Sequence, residues 1–393
     1  MDYVPTVRTK AFAAPTRYYQ GAGATRSVLP TVITAFGTHP LLIGGPRALA
    51  ALDRHGLTTT LEAKEIKYTT VEFGLAQPWG RECCPEEIRR LVDRAQDTGC
   101  DVIVGVGGGK AVDTAKAVSH RLHCPIIIVP TVASTDAPTA SVAVIYNREH
   151  HFNSYEFYAR SPDVVVVDTS IIAEAPPRLL ACGIGDAYSK RFEVAACYAA
   201  GHGNQIVKPL GGVAPLVSLQ MASLLHRLLS SYGVPAMADV RSQTVSPALE
   251  AVVEGCVLIS GLAFESGGLS AAHSLYNAFT LLQAQMQPAQ YHGELVHFGT
   301  CIELFLEEQP PQMLREVFTF GHQVGLPETL AEIGLSAISE EALRKVAEKA
   351  TAPGETIHKA RRDVTADDVF HAIQAADAYG RKLSHVVPRR EYT

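Results

Sequence analysis

Three places in the chain pair glycine with a side chain able to bind a metal or move a proton. Gly183-Ile-Gly-Asp186 begins one helical stretch, Glu265-Ser-Gly-Gly268 precedes a second that carries His273, and Tyr291-His-Gly-Glu294 opens a third. One carboxylate and two imidazoles suit a catalytic zinc ion with three protein ligands and one open position. No local motif joins Asp186, His273 and His292, which lie far apart in the chain. Taken singly, each has a plainer meaning: Asp186 as a helix cap, each histidine as a core residue. His297 falls just over one turn past His292, so spacing leaves the choice of ligand open.

A second chemistry is suggested by Val102–Lys110, where three consecutive glycines stand between a strand and a helix. Without Cβ atoms the backbone can approach a ligand closely, and the helix start favours an anion such as a dinucleotide pyrophosphate. The run is not a Walker A loop, because Val104 stands where that motif begins with glycine. Nor is it the usual dinucleotide fingerprint, because Lys110 takes the place of the third glycine. A tight turn with no ligand fits the same residues. The next strand ends in Pro130-Thr-Val-Ala-Ser-Thr-Asp-Ala-Pro138, and ligands of open α/β sheets sit beyond such strand ends. An ordinary polar loop is the plainer alternative.

The elements that must position these groups fall into two classes. Up to about residue 170, Leu41–Ile43, Val102–Val104, Ile126–Val129 and Asp163–Asp168 read as buried strands. Between them, Pro85 opens a helix that Gly99 closes, with Ile88, Leu91, Val92 and Ala95 recurring along one face. This alternation predicts a mostly parallel sheet covered on both faces. Beyond residue 171 the pattern turns helical, over Arg178–Ala200, Leu216–Leu229, Ala248–Gln285, Leu295–Leu306, Glu340–Ala350 and Ala366–Leu383. The expectation is an α/β domain over residues 1–170 and an all-helical domain over 171–393.

Composition narrows the function. With 47% hydrophobic and 19% charged residues in 393, there is enough apolar material for two cores, and a disordered chain is excluded. A net charge of −6 offers no electrostatic footprint for nucleic acid. The apolar runs are strand-length and too short for a bilayer, and Met1–Pro5 lacks the pattern of a signal peptide. None of the eight cysteines forms a C-x-x-C pair, and adjacent Cys83 and Cys84 are badly placed to bridge. The expectation is a cytoplasmic protein with free thiols, away from membranes, whose metal donors are histidine and carboxylate.

Taken together, these segments resemble the glycerol dehydrogenase branch of the iron-containing, or group III, alcohol dehydrogenases. The resemblance runs through most of the chain. It rests on Gly105–Lys116, Pro130–Pro138, Gly183–Asp186, Ser260–Gly268, Ala272-His273, Tyr291–Glu294, Gly354–His358 and Ala375–Arg381. It implies the dehydroquinate synthase-like fold, with an N-terminal dinucleotide-binding domain, a helical metal and substrate domain, and the site in the cleft between them. It also implies Zn²⁺ on Asp186, His273 and His292, and NAD or NADP with its phosphates at Gly108, Gly109, Lys110 and Asp113. Thr131, Ser134, Val142 and Tyr146 would flank the ribose and nicotinamide, and Asp136 would meet the substrate hydroxyls. The implied reaction is metal-assisted hydride transfer between a small polyol and its hydroxy-ketone, in a homo-oligomer.

Three departures bear on the substrate. Where NAD-using members carry an acidic residue after the strand read as Leu41–Ile43, this chain has Gly44-Gly45-Pro46-Arg47, with no carboxylate to repel the 2′-phosphate of NADPH and with Arg47 near; Arg47 reads equally well as a solvated helix-start residue. Lys190 lies one turn past Asp186 and either faces the cleft, reaches solvent, or pairs with Glu193. Tyr276 and His297 replace residues common in the branch. The alternatives are therefore an NADPH-preferring reductase of a 2-oxo or hydroxy-aldehyde metabolite and, less well supported, a sugar-phosphate cyclase, a lyase that would need basic groups missing from the Ser134–Pro138 loop.

Overall fold

Continuous apolar runs become strands buried on both faces. In the computed structural model, which describes residues 9–75, 81–147, 152–206, 210–360 and 363–384, there are eight strands. They are β1 (Arg17–Gly21), β2 (Pro40–Gly44), β3 (Thr69–Glu72), β4 (Val102–Gly107), β5 (Ile126–Pro130), β6 (Val142–Tyr146), β7 (Phe152–Phe157) and β8 (Val164–Asp168). Six form a parallel sheet in the order β1-β8-β5-β4-β2-β3, and β6 and β7 pair as an antiparallel hairpin. Every residue of β2, β4, β5 and β8 is buried, as expected for strands with helices on both faces. The polar edge strands β1 and β3 are largely half-exposed. Helix α1 (Pro46–Arg54) follows β2, and α2 (Gly109–Leu122) follows β4. A Cβ at Gly105 would stand 2.5 Å from the Ala115 Cβ, so this glycine lets α2 cross close to its strand.

Two compact units divide the chain, and they are not the two consecutive halves expected from a boundary at residue 170. The sheet unit comprises Ala13–Pro176 and Ala238–Gly261, and the helical unit comprises Met1–Phe12, Pro177–Met237 and Leu262–Thr393. Glu250 fixes the inserted segment to the sheet unit. It accepts from Gln20 Nε2 at 2.6 Å and from Thr169 Oγ1 at 2.6 Å. Thr139 Oγ1 adds a bond to the Val257 carbonyl at 2.9 Å.

In the helical unit, α3 (Pro177–Ala200), α4 (Ala271–Phe279) and α5 (His292–Leu306) meet backbone to backbone. A Cβ at Gly185 would lie 2.5 Å from the Gly293 carbonyl oxygen, and one at Gly299 would lie 2.5 Å from that of Ala272. A Cβ at Gly293 would overlap the Cys182 carbonyl. The single helical stretch expected over Ala248–Gln285 is broken. It runs as Pro247–Glu254, a π turn at Gly255–Ile259, Ser260–Gly267, then α4 and a 3-10 turn at Thr280–Gln285. Gly268, with φ of 112°, breaks the chain before α4. Pro247–Gly267 is long and apolar enough to cross a bilayer, but 61% of its most apolar stretch is buried within the protein, as in a core helix. All eight cysteines are free thiols.

Candidate functional site

Chain order in the sheet reverses between β2 and β4: β3 lies outside β2, while β4, β5 and β8 follow on the other side. Open α/β sheets bind ligands beyond the carboxyl ends of strands at such a switch. Both strand ends here are glycine. Gly107 has φ of 141°, a region that strains any side chain, and its Cβ would meet that of Ala111 at 3.1 Å. Around Gly45 nothing lies within 4 Å of a Cβ position, and Gly109 has Thr135 Oγ1 as its nearest neighbour at 3.7 Å. Gly108 meets Val132 at 3.3 Å. Helix α2 starts at Gly109 without a side-chain cap, leaving its first N–H groups for an anion.

The residues flanking this turn divide into linings and struts. Lys110 Nζ pairs with Glu82 at 2.5 Å and lies 5.2 Å from the centre of the Tyr146 ring. Thr131 donates its N–H to the Gly107 carbonyl at 3.2 Å. Thr131, Ser134, Asp136, Val142 and Tyr146 are half-buried, and Asp136 accepts from Ser260 Oγ at 2.9 Å. Asp113, expected among the residues at the cofactor phosphates, is braced by groups of the protein itself. Its carboxylate is buried, accepts from the Val144 N–H at 3.0 Å and pairs with Lys116 at 2.8 Å. Lys116 in turn donates to the carbonyls of Ala137, Ala140 and Val142. This pair ties α2 to the hairpin, and a carboxylate has no donor to offer a phosphate.

The helical unit brings Asp186, His273 and His292 together, each with a ligand atom within 4.8 Å of the others. Asp186 Oδ1 lies 3.5 Å from His273 Nε2 and 3.7 Å from His292 Nε2. An ion with bonds of ~2.0–2.1 Å in tetrahedral array holds its donors ~3.3 Å apart, so the three residues fit a divalent ion. Glu193, two turns past Asp186 on α3, accepts from His273 Nδ1 at 2.7 Å, which turns Nε2 toward Asp186 and His292. Its other oxygen accepts the N–H groups of Ser270 at 2.9 Å and His273 at 3.1 Å, capping α4. At the start of α5, Glu294 accepts from the Tyr291 N–H at 2.7 Å and is gripped by Arg178 at 2.5 and 2.8 Å. This brace fixes the start of α5, where His292 stands.

Electrostatics act in opposite directions on the two buried donors, readying Asp186 as a carboxylate while favouring a proton on His273 that a bound ion would displace. Burial opposes ionisation of Asp186, but Lys190, then His273 and His292, hold its carboxyl well below the usual range. Burial likewise opposes the charged form of His273, yet Glu193 and Asp186 outweigh it and raise the imidazole to about 8. His297 is the opposite case. It is fully buried five residues further on, pushed down to about 3 by burial alone, and lies 3.7 Å from Cys301 Sγ, so it is core and not a competing ligand.

The comparisons with known proteins fit this geometry. Residues 15–169 match the family described as iron-containing alcohol dehydrogenase. The glycerol dehydrogenase of Thermotoga maritima is 44% identical over 369 residues, 93% of this chain and 96% of that one. The chain belongs to the glycerol dehydrogenase branch of the iron-containing alcohol dehydrogenase family. The glycerol dehydrogenase structure of Schizosaccharomyces pombe superposes with a TM-score of 0.88 at 30% identity, covering 98% of this chain and 96% of that one. A glycolaldehyde reductase of Halobacterium salinarum is 37% identical over 378 residues, 95% of this chain and 99% of that one. An alcohol dehydrogenase-like oxidoreductase is therefore the class of this enzyme.

Two of the side chains that depart from the branch lie beside the candidate metal ligands. Lys190 does not reach solvent; it is wholly buried, and its Nζ lies 2.6 Å from Asp186 Oδ1. Tyr276 packs edge-on to His292 with ring centres 4.2 Å apart, beside the candidate ligand and not in place of one. Glu193 is not among the residues that the sequence singles out for the metal. Its signal, a carboxylate two helical turns from Asp186, becomes meaningful only once His273 is known to lie opposite.

Proposed function

We propose that this enzyme interconverts a small polyol, a vicinal diol such as glycerol, and its hydroxy-ketone, with NAD or NADP as hydride carrier and a zinc ion on Asp186, His273 and His292. The convergence of those three donors from three helices, with His273 oriented by Glu193, carries the reading. Relatives named glycerol dehydrogenase at 36–44% identity support the substrate class. The bound ion would supply Lewis acidity to the substrate oxygen, and the nicotinamide would take the hydride.

The chain's own residues supply position. Gly45, Gly108 and Gly109 leave room for the dinucleotide backbone, and the start of α2 takes its pyrophosphate. Lys110, paired with Glu82, flanks it. Thr131, Ser134, Val142 and Tyr146 orient the ribose and nicotinamide, and Asp136, aimed by Ser260, accepts from a substrate hydroxyl. Asp113 acts through Lys116 and the hairpin. The mild net charge suits a neutral substrate in a cytoplasmic homo-oligomer.

The test is a panel of glycerol, 1,2-propanediol, dihydroxyacetone, glycolaldehyde and 2-oxo acids with both cofactors, alongside metal analysis. Turnover of vicinal diols with about one zinc per chain is expected. Preference for 2-oxo acids, or full activity after metal removal, overturns it. A sugar-phosphate cyclase would show no net change in reduced nicotinamide. A second reading, reduction of a hydroxy-aldehyde with NADPH, draws on the glycolaldehyde reductase relative and on Gly45-Pro46-Arg47. A strong NADH preference removes its cofactor half.

A further inference from the structure

Lys190 is an unusual neighbour for a metal-binding carboxylate. It is wholly buried on α3, one turn past Asp186, and its Nζ lies 2.6 Å from Asp186 Oδ1 and 3.1 Å from the Asp186 carbonyl oxygen. That same Oδ1 is the oxygen nearest both imidazoles, 3.5 Å from His273 Nε2 and 3.7 Å from His292 Nε2. A tethered cation therefore already holds the oxygen that an incoming ion would use. Buried lysines are rare without a partner, and this one has its partner in the candidate ligand itself.

We propose that Lys190 is a built-in counter-ion that weakens and tunes divalent-metal binding at Asp186, His273 and His292. This rests on the metal reading above and goes beyond it, because it concerns how tightly and with what charge the ion is held. Asp186 and Glu193 bring two negative charges to the centre, and Lys190 cancels one of them. Once any proton on His273 has left to solvent and both imidazoles are neutral, a divalent ion here produces a centre with one net positive charge; without Lys190 it would be neutral. The ion must share its carboxylate with an ammonium that cannot diffuse away, which lowers affinity. In exchange, the metal-free protein keeps Asp186 paired and in place. Lys190 has no exposed surface, so it acts on substrate only through Asp186 and is a positioning residue.

The prediction has a sign that a purely structural lysine would not give. Removing a lysine that merely packs α3 would loosen the three donors and weaken metal binding. Removing a competing counter-ion strengthens it. Metal-stripped parent protein and Lys190→Met are titrated with Zn²⁺ against a chromophoric chelator. The Kd of Lys190→Met should be lower by about 10- to 100-fold, the range by which outer-shell partners shift metal affinity. An equal or higher Kd overturns the proposal.

Should Lys190→Met not survive metal stripping, Lys190→Gln is compared by the rise in Tm that a fixed Zn²⁺ concentration produces, which grows with affinity. A larger rise than in the parent supports the counter-ion; an equal or smaller rise overturns it. If neither parent nor variants bind zinc near one per chain, the metal reading itself fails. The two failures are thereby told apart.

Discussion

The strand-end crevice and the three-helix centre are made from opposite materials. The crevice is built by leaving side chains out: Gly45, Gly108 and Gly109 present bare backbone where β2 and β4 end. The centre is built by packing polar side chains in, with Asp186, Lys190, Glu193 and His273 all buried and each held by another. One site should fail when an atom is added and the other when an atom is removed. Four substitutions put that contrast to the test, in descending order of effect.

His273→Ala removes a donor and leaves Glu193 buried without its imidazole. Loss of bound metal and a fall in kcat/KM of about 10³-fold are expected, several kcal/mol of lost Lewis-acid stabilisation. Dinucleotide binding, read by fluorescence titration, should hardly change. A variant that keeps its metal and its rate would refute the contrast at once.

Gly109→Val tests the other side. Its first added carbon finds nothing closer than 3.7 Å in the free protein, so the fold should tolerate it. If the pyrophosphate sits at the start of α2 as proposed, the added bulk should cost ~1–3 kcal/mol of cofactor binding, about 10- to 100-fold in KM, with metal content untouched. A large fall in Tm with unchanged KM would mean that the glycine serves packing alone.

Arg47→Ala probes the rim of the crevice after β2. If Arg47 reads a 2′-phosphate, kcat/KM for NADPH drops about tenfold while that for NADH holds, one charge-assisted hydrogen bond being worth ~1.5–3 kcal/mol. Parallel changes for both cofactors would exclude that role.

The smallest effect lies behind the helical centre. Glu303 is buried and its carboxyl is raised well above the usual range, first by burial and then by Glu307 and Glu193. A carboxyl raised in the folded state stabilises fully below its unfolded pKa and loses that contribution as pH climbs through the folded value. Glu303→Gln should match the parent near pH 5 and exceed its Tm by about 2–4 °C at pH 9, equivalent to ~1 kcal/mol. Identical Tm-against-pH curves would show that Glu303 does not titrate on folding.

The contrast also explains what the residues alone reveal. The glycine run after Val102–Val104 is contiguous, so the crevice is legible in the chain itself. Asp186, His273 and His292 are joined only by the packing of three helices, and family resemblance supplies what spacing does not. The i,i+4 step places Lys190 near Asp186, but whether it turns outward, to Glu193 or to Asp186 depends on burial that a local pattern does not encode. The bracing of Asp113 is not legible because its neighbour in space, the β6 hairpin, comes later in the chain. Edge strands β1 and β3, such as Arg17-Tyr-Tyr-Gln-Gly21, lack the apolar run that marks the fully buried β4, β5 and β8.

The return of Ala238–Gly261 to the sheet unit has a consequence for synthesis. The chain passes from one unit to the other four times, and Gln20 and Thr169 meet Glu250 only after the first part of the helical unit has been made. A nascent chain emerging in order cannot finish its nucleotide-binding half first. A fragment ending at residue 176 would lack the segment that covers Gln20 and Thr169 and supplies Ser260 to Asp136. A swap of the whole sheet unit must therefore carry Ala238–Gly261 along with Ala13–Pro176.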